Sequence, residues 1–363
     1  MSAKRRMVEL SPAGKLATTS HDGLIAFYSR RLCLVHTFLG NYIHYSLDKF
    51  RGVIYRRYMS RSTIGTSQLF AMFPDQDTAR VYLESRLWPT GPTCPSCSCR
   101  DRITTRKGGF YRCNQCKTDF TVRTGTIFER SHVPLHLWIQ AMYLVVTARK
   151  GISSMQLAKE IGVTQKTAWF MLQRLREACS GKMDKLSGVI EIDETFVGGK
   201  EGNKHASKKL RSGRGPVGKT AVMGLRERGG RTIAMPVENT DKETLQNAIY
   251  DNVQLGSTLM TDEAAAYAGL DGVFFKHHTV NHLGGEYTRG SVSTNGIESV
   301  WALLKRGIYG TWHQVSAKHL RRYVDEVAFR LNAGNVERHT LDRLDSFVDA
   351  ADGKRLTYAR LIA

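Results

Sequence analysis

Three acids lie within four residues of each other in "SGVIEIDETFVGGK", residues 187–200, beside an apolar, β-prone run. Side chains alternate between the two faces of a strand, so Glu191 and Asp193 share one face and Glu194 lies on the other. Glu191 lies roughly 7 Å further back from the open end of the strand than Asp193 does. We therefore predict that Asp193 does chemistry, that Glu191 is structural, and that Glu194 serves the turn that follows.

Two later segments supply acids that could join Asp193. In "GSTLMTDEAAAY" an apolar strand leads into Asp262, and in "STNGIESVWALLKRGIYG" a helix carries Glu298, with Trp301 and Lys305 on the same helical face. Two strand carboxylates and one helix carboxylate can hold two divalent ions about 3.5–4 Å apart, an arrangement suited to phosphodiester chemistry. Mg²⁺ or Mn²⁺ suits such oxygen ligands.

Each acid alone is weak evidence, since strand-end and helix carboxylates are common on solvated surfaces. The interpretation depends on the set, its order and its context. Lys305, two helical turns beyond Glu298, is placed to contact a DNA backbone and is included with the three acids as a candidate catalytic residue.

Five of the seven cysteines fall between positions 94 and 116. We expect no secretory signal, and local clustering in such a chain favours metal binding over disulfides. "CPSC" and "CNQC" form two C-x2-C pairs with fifteen residues between them. Two such turns complete a tetrahedron around one zinc ion, and four thiolates leave no open position, so this zinc is expected to be structural. Cys99 is a spare thiol that could compete with Cys97. The predicted ligands are Cys94, Cys97, Cys113 and Cys116.

A helix-turn-helix is predicted in "SSMQLAKEIGVTQKTAWFMLQRLREA". Ser153 and Gln156 form a capping box, Gly162 permits the turn, and Thr164 caps the second helix. The apolar spacing of that helix leaves a polar side suited to a major groove. An ordinary helical hairpin packed inside the protein is the alternative. The outward residues predicted to contact DNA are Gln165, Lys166, Thr167, Gln173 and Arg174.

The formal net charge of +20 and the isoelectric point near 9.8 favour a polyanionic partner, and nucleic acid is the usual one. No apolar run reaches the ~18 residues that a membrane span needs. We expect a cytoplasmic, DNA-associated protein with no membrane partner.

The loop at residues 198–220 is dense in glycine, lysine and arginine. Its "GRGPVGKT" matches a phosphate-loop pattern, but the following "TAVMGLRER" is predicted to be a strand where that motif requires a helix, so we expect no nucleotide triphosphate. The loop is interpreted as a hairpin that touches DNA through Lys208, Lys209, Arg211 and Arg214.

Three histidines follow in "KHHTVNH". Neighbours on a strand point to opposite faces, so only one of His277 and His278 can face the acids. His278 and His282 are the candidates for a place near the acids or the DNA, and polar residues at a strand end are the alternative.

With these residues in view, the sequence resembles DDE transposases of bacterial insertion sequences, in the ISXO-type group with an N-terminal zinc ribbon. The resemblance covers about residues 70–335 and is carried by "CPSC…CNQC", "EIDETFVGGK", "TDEAAAY", "TVNHLGGEYTRG" and "TNGIESVWALLKRGIYGTWHQVSAKHLRRYVDEVAFRLN". It implies an RNase H-like catalytic core with Asp193, Asp262 and Glu298 as its acidic triad.

The expected fold class is α/β (α+β multidomain): a zinc ribbon and helix-turn-helix, then an RNase H-like mixed sheet with flanking helices. The predicted domains are an extension at 1–65, a zinc ribbon at 66–130, a helix-turn-helix at 131–182 and a catalytic domain at 187–348. The extension is either an over-extended reading frame, with Met59 or Met72 as the true start, or a basic DNA-binding arm.

The expected function is a transposase that binds the terminal inverted repeats of its insertion sequence, then cleaves and joins DNA as a homo-oligomer. Its partners would be double-stranded element ends and target DNA. A zinc/helix-turn-helix regulator without catalysis is one alternative, and an RNase H-like nuclease that does not join strands is another.

Overall fold

The computed structural model describes residues 63–181, 183–199, 201–210, 216–272, 275–281, 284–286 and 288–363. Most of the predicted N-terminal extension lies outside the described residues, as do Arg211, Arg214 and His282. Within the described part of the chain, no helix is both long and apolar enough to cross a membrane.

Two short helices, α1 (Thr66–Met72) and α2 (Gln76–Leu87), precede a small antiparallel sheet. Its strands pair in sequence order: β1 (Ile103–Arg106), β2 (Phe110–Cys113) and β3 (Asp119–Phe120). Trp88, Tyr111 and Phe120 pack on one another with ring centroids 5.3–5.7 Å apart. This aromatic cluster packs with the cysteine turns and Ile103 in the core of the ribbon. A core of this size is too small to fold on apolar burial alone.

Three helices follow: α3 (Leu135–Thr147), α4 (Ser154–Ile161) and α5 (Gln165–Cys179). The predicted turn between α4 and α5 is confirmed. Ser153 caps α4 by accepting from Gln156 N at 3.1 Å, and Gly162 ends it at a φ of 69°. Thr164 caps α5 by accepting from the backbone of Thr167 at 3.2 Å.

The outward position predicted for Gln173 and Arg174 is wrong, since both are buried. Arg174 Nη1 donates to the carbonyl oxygens of Ile127 and Glu129, each at 3.0 Å. Gln173 lies 3.4 Å from the Tyr323 hydroxyl. Helix α5 is therefore covered from two sides at this turn. The polar character of these two residues did not indicate a solvent-facing position.

A five-stranded mixed sheet forms the second half, in the order β6-β5-β4-β7-β8. The strands β4, β5 and β6 are antiparallel, whereas β4, β7 and β8 run parallel. A strand, β5, follows "GRGPVGKT" as predicted. The elements are β4 (Val189–Val197), β5 (Thr220–Glu227), β6 (Thr232–Val237), α6 (Lys242–Asn252), β7 (Thr258–Asp262) and β8 (Lys276–Val280).

Helices cover both faces of this sheet, as the sequence predicted. Helix α6 packs on the face that carries Ile190 and Ile192. The other face packs against a later helix through Val222 and Ile297. The remaining elements are β9 (Thr288–Arg289), β10 (Val292–Ser293), α7 (Asn295–Gly307), a π turn (Ile308–Trp312), α8 (Ala317–Leu331), α9 (Thr340–Asp349) and α10 (Tyr358–Ile362).

The chain returns to its N-terminal half after α8. The Tyr82 hydroxyl on α2 donates to Asp345 on α9 at 2.7 Å, and Arg86 pairs with the same carboxylate at 2.9 Å. Arg343 Nη1 donates to the Val146 carbonyl at 2.7 Å. Helix α9, which the sequence assigned to the end of the catalytic domain, thus packs on the helices next to the ribbon.

A buried ion pair joins α5 to α8. Arg176 and Glu326 are 2% and 1% exposed, and Arg176 Nε lies 2.7 Å from Glu326 Oε2. The Arg176 guanidinium also lies 3.8 Å from the centroid of the Tyr323 ring, and Arg330 approaches the other oxygen of Glu326 at 3.4 Å. Burying charges is costly, and here mutual pairing offsets that cost.

We predict that Glu326→Ala lowers the free energy of unfolding by about 3–5 kcal/mol, because it leaves two arginines buried without a counter-charge. The double variant Arg176→Met/Glu326→Leu should lose less than the sum of its single changes. Denaturant titration measures both. Equal losses for Glu326→Ala and for a change of the exposed Glu337 would contradict the role given to this pair.

Candidate functional site

Two of the predicted acids lie side by side on neighbouring parallel strands. Glu191 on β4 is in register with Met260 on β7, and two residues further along are Asp193 and Asp262. A step of two keeps the same face of the sheet, so both carboxylates are on the side covered by α7. The Asp262 carboxylate accepts from Ala264 N at 3.1 Å, which fixes it where β7 ends.

Helix α7 lies over this face and carries the third acid. Trp301 Nε1 donates to Asp193 Oδ2 at 2.8 Å, and Thr294 Oγ1 donates to Glu298 Oε1 at 3.2 Å. Gly224 lies opposite Asp193 on β5, and a Cβ there would come 2.6 Å from the Trp301 ring. Glycine thus makes room for the close approach of α7 to the sheet.

Trp301 was predicted on one helical face with Glu298 and Lys305, and all three lie on α7. Trp301 is 4% exposed and packs on the sheet, while the other two are exposed. Residues three and four positions apart share a helical face, but that face is wide enough for one of its sides to be buried and the other exposed. The buried Trp301 indole thus holds Asp193, a candidate catalytic acid, by its hydrogen bond.

Negative charge is concentrated among these acids. Burial raises the pKa of Asp193, and the charges of Asp262 and Glu298 raise it further, while the hydrogen bond from Trp301 opposes them. The charges of Asp262 and Glu298 thus make Asp193 harder to ionise, and a cation bound beside Asp193 would oppose that effect.

Glu194 lies on the opposite face, as predicted, but it does not serve the following turn. Its carboxylate accepts a hydrogen bond from the Tyr267 hydroxyl, on the side of the sheet that packs against α6. Burial, followed by the charges of Asp193 and Asp262, raises the pKa of Glu194 to about 8. The expectation for Glu194 was wrong because it considered the strand end alone and not the segment that packs over it.

Glu191 connects the sheet to the start of α7. It is 3% exposed, and its Oε2 accepts from Ile297 N at 3.0 Å, which satisfies one of the free amides in the first helical turn. Gly296 allows this approach, since a Cβ there would lie 2.5 Å from the same oxygen. The structural role predicted for Glu191 is confirmed: it caps, from another strand, the helix that carries Glu298.

Arg228 is a partner of Glu191 that sequence reasoning missed. Its Nε and Nη2 donate to Glu191 Oε1 at 3.1 and 3.0 Å. It also donates to the Ser291 carbonyl at 2.6 Å and to Ser293 Oγ at 3.2 Å, and so ties down the β10 segment before α7. The local sequence around Arg228 offered no signal, since it is one of many arginines in a basic chain.

The donor set suits a hard divalent cation. Carboxylate oxygens are the ligands that Mg²⁺ prefers, and the charges of Asp262 and Glu298 both act on Asp193. Among the described residues, only the four cysteines gather three or more ligand atoms within 4.8 Å of one another. The carboxylate oxygens of the three acids are therefore spread more widely than the four cysteine sulfurs.

The two neighbouring histidines separate as alternation requires. His277 Nε2 lies 2.8 Å from Thr261 Oγ1, and burial lowers its pKa. His278 is in register with Met260, on the same face as Asp262, and is exposed.

The other candidate DNA contacts lie at the surface where they are described. Gln165 and Lys166 are exposed and Thr167 is half-buried, at the first turn of α5. Lys208 and Lys209 are exposed in a loop held at its base by Glu201, which is buried and pairs with Lys204 at 2.6 Å.

The four predicted zinc ligands form one group. Cys94 and Cys116 have their sulfurs 3.5 Å apart, and those of Cys97 and Cys113 are 3.6 Å apart. A zinc tetrahedron with bonds of ~2.3 Å implies sulfur separations of roughly 3.8 Å, so the group fits the ion. Cys99 does not join it, and instead its carbonyl accepts from Cys94 N at 3.0 Å.

Local backbone geometry shapes both turns of the zinc centre. The residue after each C-x2-C pair, Ser98 or Lys117, has a positive φ near 60°. Hydrogen bonds with the side chain and backbone of Thr118 lower the pKa of Cys116 to about 6, which favours the thiolate that a metal requires.

Comparison with known proteins gives consistent results for the two halves. Residues 185–332 match the family described as ISXO2-like transposase domain, and residues 74–119 match the transposase zinc-ribbon domain. An uncharacterized protein in transposable element ISH50 of Halobacterium salinarum is 33% identical over 250 residues, covering 64% of this chain and 83% of the relative.

We predict that Cys113→Ser abolishes the binding of about one zinc per chain, because three thiolates leave the tetrahedron incomplete. Cys99→Ser is the matched control and should keep its zinc. Metal content after dialysis, measured by mass spectrometry, separates the two. Zinc loss in Cys99→Ser alone would show that the ligand set is different.

We also predict that Glu191→Ala lowers the free energy of unfolding by about 1–3 kcal/mol, since it leaves a helix amide and Arg228 without an acceptor. Glu191→Gln should lose less, because its amide oxygen can still accept. Glu243→Ala, at an exposed first-turn position of α6, is the control and should change stability by under about 0.5 kcal/mol. A Glu191→Ala loss no larger than that of the control would contradict the capping role.

Proposed function

The chain belongs to the ISXO2-like transposase family, and on that premise we propose that it binds the terminal inverted repeats of its insertion sequence, cleaves DNA there and joins the freed ends to target DNA. Asp193, Asp262 and Glu298 are the proposed catalytic acids. The observation that supports this most strongly is the convergence of these carboxylates, from two parallel strands and one covering helix, at one edge of a mixed sheet.

The three acids would hold Mg²⁺ or Mn²⁺, which supplies an activated oxygen nucleophile and stabilises the leaving oxygen. The protein's own contribution is positioning. Trp301 fixes one oxygen of Asp193, and Glu191 fixes the start of the helix that carries Glu298. Lys305, exposed two turns further along α7, is proposed to neutralise a DNA phosphate near the reacting group.

The proposed reaction has two stages at each end of the insertion sequence. In the first, water attacks a phosphodiester in line and the 3′ oxygen leaves, taking up a proton to become a hydroxyl. In the second, that hydroxyl attacks a phosphorus atom of target DNA, and a new phosphodiester forms as the old one breaks. Both ends must be joined together, so we propose a homo-oligomer on DNA.

Recognition of the ends is proposed to fall to the ribbon and to α4–α5. Gln165, Lys166 and Thr167 stand at the start of α5, where a recognition helix meets base edges. Lys208 and Lys209 are proposed to contact the phosphate backbone. Gln173 and Arg174 are not part of this surface, because both are buried.

We predict that Asp193→Asn, Asp262→Asn and Glu298→Gln each lower Mg²⁺-dependent cleavage of end DNA at least about 100-fold, because each removes a metal-binding charge. Binding of the same DNA without metal should change little. Cleavage on gels and binding by anisotropy measure the two effects. The control is Glu263→Gln, an exposed acid next to Asp262.

Three outcomes of that experiment would lead to other conclusions. Full cleavage by the triple variant would exclude these acids. Tight, repeat-specific binding with no cleavage by the intact protein would favour a regulator. Cleavage without strand-transfer products on a target plasmid would favour a nuclease.

A further inference from the structure

A cleft of about 300 Å³ opens where β4 ends. One wall is residues 196–199, and the other is the segment from Lys305 on α7 to Val315. Among the described residues, four of its lining side chains make no hydrogen bond or ion pair: Lys305, Tyr309, His313 and Gln314. The cleft is therefore lined by a cation, an amide, an imidazole and an aromatic ring that are all available to a ligand.

The aromatic surface of the cleft is unusually open. Tyr309 is 69% exposed and Phe196, on the facing strand, is 37% exposed. Single exposed aromatics are common on surfaces. Two of them beside one cation and an amide, in one concave site on the strand and helix that carry Asp193 and Glu298, are a more specific arrangement.

The wall that carries Tyr309 is held in place from behind. After α7 the backbone makes a π turn, Ile308–Trp312, and then adopts a φ of +60° at His313. Such turns and such non-glycine φ values persist only where packing maintains them, often at functional sites.

Trp312 provides that packing. Its ring lies 4.8 Å from that of Tyr323, and a Cβ on Gly151 or Gly307 would come 2.6 or 2.9 Å from it. With Trp312 fixed on the inner side, Tyr309 and Gln314 are directed into the cleft. This wall of the cleft is thus fixed by packing.

The position of the cleft limits what can reach it. Lys305 is seven residues beyond Glu298 on one helix, roughly 10 Å along its axis. DNA rises about 3.4 Å per nucleotide, so a strand that runs along α7 from the acids would bring to the cleft a nucleotide within about three of the reacting phosphate. Its volume is at the lower end of that of small-molecule sites and is too small for a duplex.

We propose that this cleft receives one unpaired nucleobase of the DNA strand beside the reacting phosphate, with Tyr309 stacking on the base and Lys305 pairing with its phosphate. The proposal rests on the proposed function, since it needs DNA at the acids. A base in the cleft would hold the strand end in register for in-line attack. The aromatic ring and the amide in the cleft favour a flat ring that can form hydrogen bonds. The Gln314 amide is available to bond with the edge of that ring.

The test is a cycle that combines Tyr309→Ala with removal of single bases. Eight end duplexes are compared. Each carries a single abasic nucleotide, at one of the four positions on either side of the cleavage point. At one position, base removal should slow cleavage by wild-type protein about tenfold, and Tyr309→Ala should then have no further effect. At the other positions the two effects should multiply. Tyr309→Phe, which keeps the ring, should behave as wild type.

Phe70→Ala is the matched control, since Phe70 is an exposed aromatic, 45% accessible, in α1. It should show coupling at no position. If Tyr309→Ala and base removal act independently at all eight positions, the cleft does not hold a base. The same cycle, measured by equilibrium DNA binding, tests the cleft even if the protein does not cleave. Wild-type cleavage without coupling would leave the proposed function intact and would overturn the base-binding role of the cleft.

Discussion

The buried ion pair between Arg176 and Glu326 is the interaction on which the arrangement of both halves depends. It joins the proposed recognition helix to α8, and Arg176 also lies 5.6 Å from the centroid of the Trp312 ring, which fixes the turn lining the cleft. Arg330 extends the network to α3 by donating to the carbonyls of residues 148 and 149 at 2.9 and 3.1 Å. Charges in such a dry site must be paired in one geometry, so the pair fixes the orientation of these helices.

On the catalytic side, a second network performs the same task for the acids. Parallel pairing of β4 with β7 brings Asp193 beside Asp262, but it does not place the helix that carries Glu298. Glu191 places that helix by accepting from its first turn, and Arg228 holds both Glu191 and the β10 segment. The acids that we propose as catalytic are thus exposed or half-buried, whereas Glu191, which is buried further back on β4, is structural. A charge that must meet a metal and DNA needs access, whereas a charge that caps a helix needs shielding.

The local parts of the fold were predictable because their causes are local. Ser153, Gly162 and Thr164 cap and end helices through contacts within three or four residues, and the structure has these contacts. The two C-x2-C pairs and the strand character of β4 follow for the same reason. Predictions failed where a distant element decides exposure: Gln173 and Arg174 have polar side chains on a helical face that another part of the chain covers.

By itself, the sequence determined the residue types that can do chemistry, their alternation on a strand and the four cysteines that cluster, since all of these depend on spacing along the chain. It also carried the family resemblance that the comparisons support. Only the tertiary structure decided that Trp301 holds Asp193, that Arg228 holds Glu191 and that Tyr309 borders a cleft. Each of these depends on which segments pack over which face of the sheet, and that is settled by contacts between residues 37 or more positions apart or by a turn whose cause lies in another helix.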